Sequence, residues 1–324
     1  MDEQIGMLQQ NLRALQQQLR QGTVYQSLGP RMGQLIDGVR RHRRTPVDLP
    51  TEDDQVNDLL DAIHQRLAGT QPATVSLAEL ATLLEHLRSV DPRVRYTGVH
   101  FTLYDALEAG VFPPNQLNWL MDQLLSDQRL FDHVLEPANQ AVFGRSAAVS
   151  FLATLVHYGN DHPERVTIDY PRLVQQVATY LCLETDTRGF INGQGWAHAF
   201  TSVTALLTAL NDSPALPRAD KLFLMTAFFE RFKRLTTPLI YGETDRMGNY
   251  LVALTNRHPL YEDACLQALK RWRHQVAMRR RSVETAAGWN RYYNRQRLLD
   301  AMQLHRDLSP QIRAYLTAAI DFLA

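Results

Sequence analysis

The sequence has only two cysteines, Cys182 and Cys265, and each sits inside an apolar helical pattern. So few cysteines exclude a disulfide-built scaffold, and two buried thiols in a reducing compartment are expected. No window offers the roughly 18 consecutive apolar residues of a membrane-spanning helix. The opening stretch MDEQIGMLQQNLRALQQQLR is polar and lacks the apolar segment of a secretory leader, so a cytoplasmic location is expected. Net charge is missing too: 34 basic side chains balance 34 acidic ones. A global preference for nucleic acid or acidic membranes is therefore not indicated. No segment alternates at period two over β-branched residues, so no sheet is expected. The chain contains no phosphate-binding loop, no dinucleotide fingerprint and no paired-cysteine zinc spacing, and no cofactor is expected.

What the chain does have is leucine on helices. Hydrophobic residues make up 45% of it, enough for a packed core. Ile5, Leu8, Leu12, Leu15 and Leu19 fall on one helical stripe that Gly22 ends, and Val56, Leu59, Leu60, Ile63 and Leu67 form another. Ser76 and Glu79 read as a capping box ahead of Leu77, Leu80, Leu83, Leu84 and Leu87. Asp91-Pro92 and Ser309-Pro310 place a capping side chain before a proline at the first helical position, and Pro114 opens a further helix. Apolar stripes continue through 138–158, 171–183, 195–210, 218–235, 260–277, 285–304 and 310–323. The expected fold is all-α. Because no fixed repeat period stands out, the expected form is an irregular right-handed α-α superhelix of stacked antiparallel helix pairs, HEAT/armadillo-like. The expected division is an N-terminal helical extension over 1–47, a helical core over 48–276 and a C-terminal helical pair over 277–324, packed as one domain.

One stretch departs from this pattern: ETDTRGFINGQGWAHAF, from Glu184 to Phe200. Glu184 ends a helix, three glycines free the backbone, and a new helix is expected near Gln194 with Trp196 and His198 in its first turns. Backbone N–H groups at a helix start favour anions, and Arg188 can clamp a carboxylate or phosphate bidentately, so a small-ligand corner is one reading. The other is structural. There Glu184, Asp186 and Arg188 bond one another and free backbone N–H groups, Trp196 is buried between two helices, and His198 is a hydrogen-bonded core histidine. No metal is expected, since His198 has Ser202 rather than a histidine one turn on. Ser202 as a nucleophile lacks the glycine-flanked elbow.

Several of these residues together resemble a known family. They are Asp91-Pro92 with Arg95, Phe143-Gly144-Arg145-Ser146, Glu184-x-Asp186-x-Arg188-Gly189-Phe190, Gly195-Trp196-Ala197-His198-Ala199 and Glu243-x-Asp245-Arg246. Over roughly 50–276 the chain resembles the bacterial family known as domain of unknown function 2785. The resemblance implies an all-helical fold and no activity. It also implies a second histidine where Ser202 stands and an aspartate where Ala205 stands. Their loss turns the balance against catalysis. Glu184, Asp186, Arg188, Trp196, His198, Arg145, Glu243, Asp245 and Arg246 remain as the candidate polar set, a ligand site or a structural network.

The window from Lys270 to Arg297 holds nine basic residues and one acid, interleaved with Trp272, Trp289, Tyr292 and Tyr293. Arg279, Arg280 and Arg281 are where a nucleic acid or anionic surface would bind, if one does. The plainer reading is a solvated basic face, or one that pairs with the acidic run at 48–61. The function expected from all of this is a non-enzymatic binding or interaction protein with a protein partner on a concave face. The alternative is a small-ligand-binding or hydrolase-like protein centred on Glu184, Asp186, Arg188 and His198.

Overall fold

The computed structural model describes residues 2–51, 55–278 and 285–319. Arg279, Arg280 and Arg281 lie outside the described residues, as do Glu52, Asp53 and Asp54 of the acidic run. The described chain is all-α apart from one two-stranded hairpin. It falls into two compact units, one from residues within 1–39, 174–187 and 213–324, the other from 40–173 and 188–212. Among the described residues no helix is long and apolar enough to cross a membrane.

The first unit holds α1 (Glu3–Arg20), α2 (Leu28–Asp37), the second part of α9 (Tyr170–Leu183), α11 (Arg218–Phe232), α12 (Glu243–Thr255), α13 (Pro259–Met278), α14 (Ala286–Leu304) and α15 (Pro310–Ala318). The α1 stripe read from the sequence is the buried one: Ile5, Leu8, Leu12, Leu15 and Leu19 face inward. Aromatic rings fill the centre. Phe228 meets Tyr250 at 5.6 Å and Phe232 meets Trp272 at 5.8 Å, with Trp272 buried. α1 is fixed to α11 by Asp220, a buried carboxylate that accepts from Gln16 Nε2 at 2.8 Å and Arg20 Nη2 at 2.6 Å. Ser309 caps α15 through the Ile312 N–H at 3.3 Å. Cys182 and Cys265 are both free and buried, and burial pushes each thiol up to about 12.

The second unit holds α3 (Val56–Ala68), α4 (Leu77–His86), a π-helical segment (Arg93–His100), α5 (Phe101–Glu108), α6 (Pro114–Leu124), α7 (Asp127–Leu130), α8 (Val142–Asp161), the hairpin strands β1 (Phe190–Ile191) and β2 (Gly195–Trp196), and α10 (Ala199–Asp212). The Ser76–Glu79 capping box forms, and Arg66 Nη2 bonds Glu79 at 2.7 Å. Leu77, expected on the buried stripe, is the first residue of α4 and is exposed. Asp91 caps the π-helical segment through the Arg93 N–H at 2.7 Å. Gly98 lets that segment approach α3: a Cβ there would stand 2.6 Å from Leu60 Cδ1. α8 is buried almost all round, including Gly144, Arg145 and Ser146, and α10 packs along it. The Ser146 and Ser202 hydroxyls, 2.9 Å apart, join the two helices.

The basic cluster at 40–44 ties its own segment down. Arg41 Nη1 donates to Val134 O at 2.7 Å, Arg44 to Ala138 O, and the His42 N–H to Leu135 O at 2.8 Å. Further along the chain, the aromatics of the basic window are divided: Trp272 is core, whereas Trp289 and Tyr293 are exposed and stacked at 5.8 Å. Arg295 and Arg297 lie over the rings of Tyr292 and Tyr293.

Candidate functional site

The Glu184–Phe200 stretch begins where α9 ends. Glu184, 1% exposed, turns its carboxylate back so that Oε1 accepts from the Thr185 N–H at 2.9 Å and the Asp186 N–H at 2.8 Å. Thr187 Oγ1 then bonds Thr237 Oγ1 at 2.7 Å. Glu184 and the buried Asp186 belong to the first unit, and the chain enters the second unit at Arg188.

From Arg188 the expected helix start gives way to a β-hairpin. Phe190 pairs with Trp196 and Ile191 with Gly195, antiparallel, around the turn Asn192-Gly193-Gln194. Gly193 has φ 77° and Gly195 φ 72°, and a Cβ on Gly195 would stand 2.7 Å from Pro92 Cβ, so two independent constraints demand glycine there. The Ala197 N–H donates to Gly189 O at 2.9 Å and the His198 N–H to Arg188 O at 3.1 Å, which extends the pairing up to the start of α10. His198 itself adopts φ 54°, a left-handed conformation unusual for a side chain with a Cβ.

Trp196 is the main correction. It is 43% exposed rather than buried. The cause is strand geometry: residues in a strand alternate between faces, so Gly195 and Ala197 are buried while Trp196 between them turns out. Ala197 and Ala199 pack with Val142 and Phe143 of α8, a space that suits methyl groups rather than an indole. As a directly paired residue, Phe190 shares the outer face with Trp196 and is 46% exposed. The two rings meet edge to face at 5.1 Å, and Trp196 meets the His198 ring at 4.2 Å.

Arg95 holds this hairpin. The residue is 4% exposed, and its guanidinium donates to Ser89 O, to Gln194 O at 2.7 Å and to Trp196 O at 3.3 Å and lies 4.1 Å over the Phe143 ring. Burial lowers its pKa to about 10, so it remains a cation at neutral pH. A buried positive charge is tolerated here because carbonyl dipoles and a ring face replace the lost water. Two further arginines work on the neighbouring loop. Arg145 Nη1 donates to Asp132 O at 2.7 Å, and Arg188 Nη2 donates to Asn139 O. Asn139 completes that loop by accepting from the Ala141 N–H at 3.0 Å and donating to His133 O and Pro137 O.

The remaining candidates lie in the first unit on α12. Glu243 is buried in its first turn; Oε2 accepts from the Tyr241 N–H at 2.8 Å, and Oε1 has no hydrogen-bond partner among the described residues. Asp245 and Arg246 are exposed. Among the described residues, no group of three or more His, Cys, Asp or Glu side chains is placed to hold a metal ion. Site residues that escaped the sequence reading are Arg95 as the buried hub, Asn139 as the loop organiser and Phe190 as the partner of Trp196. For Phe190 and Trp196 a signal was present: Asn192-Gly193 flanked by Phe190-Ile191 and Gly195-Trp196 is a hairpin signature.

Comparison with curated proteins and with solved structures gives no match. A sequence profile of the family described as protein of unknown function (DUF2785) matches residues 130–304, more than half of the chain. The match takes in the arginine-held loop, the hairpin and helices through α14, and starts after Asp91, Pro92 and Arg95. This chain belongs to the DUF2785 family.

Proposed function

We propose that the protein is a non-enzymatic interaction protein of the cytoplasm, a HEAT-like helical scaffold that docks a protein partner on the outer face of its β-hairpin. The observation that carries this reading is the Phe190–Trp196 pair, two large rings turned to solvent on a hairpin that a buried arginine fixes from behind. Interfaces concentrate their binding energy in a few aromatic and arginine anchors. An anchor already held in place loses little conformational entropy when it binds. The hairpin meets both conditions. Its backbone is tied by Arg95, its turn is set by Gly193 and Gly195, and its inner face is filled by alanines. The reducing cytoplasm suits two free buried thiols.

The reading of Glu184 as a catalytic or ligand-binding carboxylate has less support, because its Oε1 already caps two backbone N–H groups. Site-specific photo-crosslinking tests the interaction reading. Benzoylphenylalanine in place of Phe190, in the native cell, is expected to give an adduct of discrete mass. The same probe in place of the exposed His157 of α8 is expected to give none. Failure of position 190 to give an adduct, or the same adducts from both positions, would count against hairpin docking.

A further inference from the structure

A separate feature of the first unit is a cleft of about 440 Å³, within the range of small-molecule sites. Its walls come from four helices: Asp37 at the end of α2, Lys233 and Arg234 just past α11, His274 and Met278 in the last turns of α13, and Arg291 on α14. Three of these side chains are cations, against Asp37 in the wall and Glu230 paired behind it, so one positive charge is left over, which favours an anion.

The local chemistry sharpens this. Arg234 is fixed: Nε and Nη2 bond the two Asp37 oxygens at 2.7 and 2.8 Å, and Nη1 bonds Glu230 Oε2 at 2.7 Å. Arg234 and Asp37 therefore form a rigid wall that is nearly neutral. Glu230 is a single buried carboxylate shared between Arg234 and the Lys233 ammonium. Lys233 thus has a half-share of one counter-charge while its side chain is only 8% exposed. Burial, together with Arg234 and Arg271 nearby, holds its pKa below the usual lysine value. The cluster has its own place in the fold, since α2 carries glycine where it passes. A Cβ on Gly33 would stand 2.5 Å from Arg234 Nη2, and one on Gly29 would stand 3.2 Å from Glu230 Oε1. Two glycines one turn apart thus admit a buried charge cluster beside an open cleft.

We propose that this cleft binds a small phosphate monoester, its dianionic phosphate met by Lys233 and Arg291 against the Arg234–Asp37 wall, and its organic part lying along Met278. A phosphate gives Lys233 a counter-charge beside the Glu230 carboxylate that it shares with Arg234, and charge-assisted bonds to lysine and arginine are the strong ones. This site is independent of the hairpin, so either proposal can fail alone.

The chain has only three lysines, Lys221, Lys233 and Lys270, which gives a direct readout. Pulse acetylation of the wild-type protein with mass spectrometry, at low ionic strength, reports each one. Glucose 6-phosphate is expected to slow acetylation of Lys233 at least about 10-fold, with inorganic phosphate acting more weakly and glucose not at all. Lys221, which donates to Ser213 O, and Lys270, over the Tyr315 ring, serve as internal controls and are expected not to change. Isothermal titration then compares wild type with Arg291→Gln and Lys270→Gln. Arg291→Gln is expected to weaken binding of glucose 6-phosphate at least about 10-fold, and Lys270→Gln to leave it unchanged. Unaltered acetylation of Lys233 at about 10 mM of both phosphate probes overturns the proposal, as does an Arg291→Gln affinity equal to that of wild type.

Discussion

Replacing Arg95 with alanine removes the side chain on which the hairpin rests. Three backbone carbonyls, those of Ser89, Gln194 and Trp196, lose their donor, and the Phe143 ring loses the cation 4.1 Å above it. An unsatisfied buried carbonyl costs about 1–3 kcal/mol. The hairpin carbonyls can reach water once the side chain is gone, so the low end applies and the three together come to about 3 kcal/mol. Removing a desolvated charge offsets part of this, and the lost cation–π contact of about 1–2 kcal/mol roughly restores it. The loss is local, so a local probe reads it best. Hydrogen exchange of the Gln194, Ala197 and His198 amides, which donate to Ile191 O, Gly189 O and Arg188 O, is expected to accelerate about 100-fold. Amides in the middle of α13, in the other unit, are expected to keep their rates. Arg95→Lys, which keeps charge but not the planar fork, is expected to fall between. Hairpin amides that exchange at the wild-type rate in Arg95→Ala would refute the argument that this guanidinium holds the hairpin.

Other substitutions separate the roles of neighbouring residues. Trp196→Ala is expected to lower the unfolding free energy measured in urea by less than about 1 kcal/mol, because the indole is half exposed; a loss of about 3–5 kcal/mol would mean that it is core. Gly195→Ala is expected to cost about 1–3 kcal/mol in the same assay, since the position needs φ 72° and touches Pro92, and unchanged stability would contradict both constraints. Arg20→Ala leaves the buried Asp220 carboxylate with Gln16 alone; a fully buried orphan would cost more, but the exposed arginine side lets water in, and about 1–2 kcal/mol is expected by thermal unfolding. Glu79 is held below the usual carboxylate range chiefly by Arg66, so its capping contribution is present above about pH 4.5 and is lost as pH falls through the lower folded value. Exchange protection at the start of α4 is expected to stay flat down to about pH 4.5 and to drop below it, earlier in Arg66→Gln.

How legible the molecule was depends on the range of each interaction. Local rules worked where the partner lay within one turn: the α1 stripe, the Ser76–Glu79 box, the Asp91 and Ser309 caps and the Pro114 helix start all read directly from spacing. Gly-Trp-Ala-His-Ala misled because five residues suit either period, and a large indole suggested burial. The inward placement of Ala197 and Ala199 becomes decisive only once Phe143 is known to pack against them. Arg95 was visible as a residue but not as a hub, since the two hairpin carbonyls that accept from it lie about a hundred positions away and carry no side-chain signature. Asp220 with Arg20, and Lys233 with its cleft, likewise depend on helices distant in sequence.

On the proposed function, Trp196 is displayed on a fixed hairpin for a partner to cover. Hydroxyl-radical footprinting, in the purified protein and inside the native cell, tests it with internal standards, because Trp272 is buried and Trp289 is as exposed as Trp196. In the purified protein Trp196 is expected to oxidise as fast as Trp289 and far faster than Trp272. In the cell Trp196 alone is expected to slow, as the partner covers it. Oxidation of purified Trp196 at the Trp272 rate, or an unchanged ratio of Trp196 to Trp289 between the two settings, would contradict the claim.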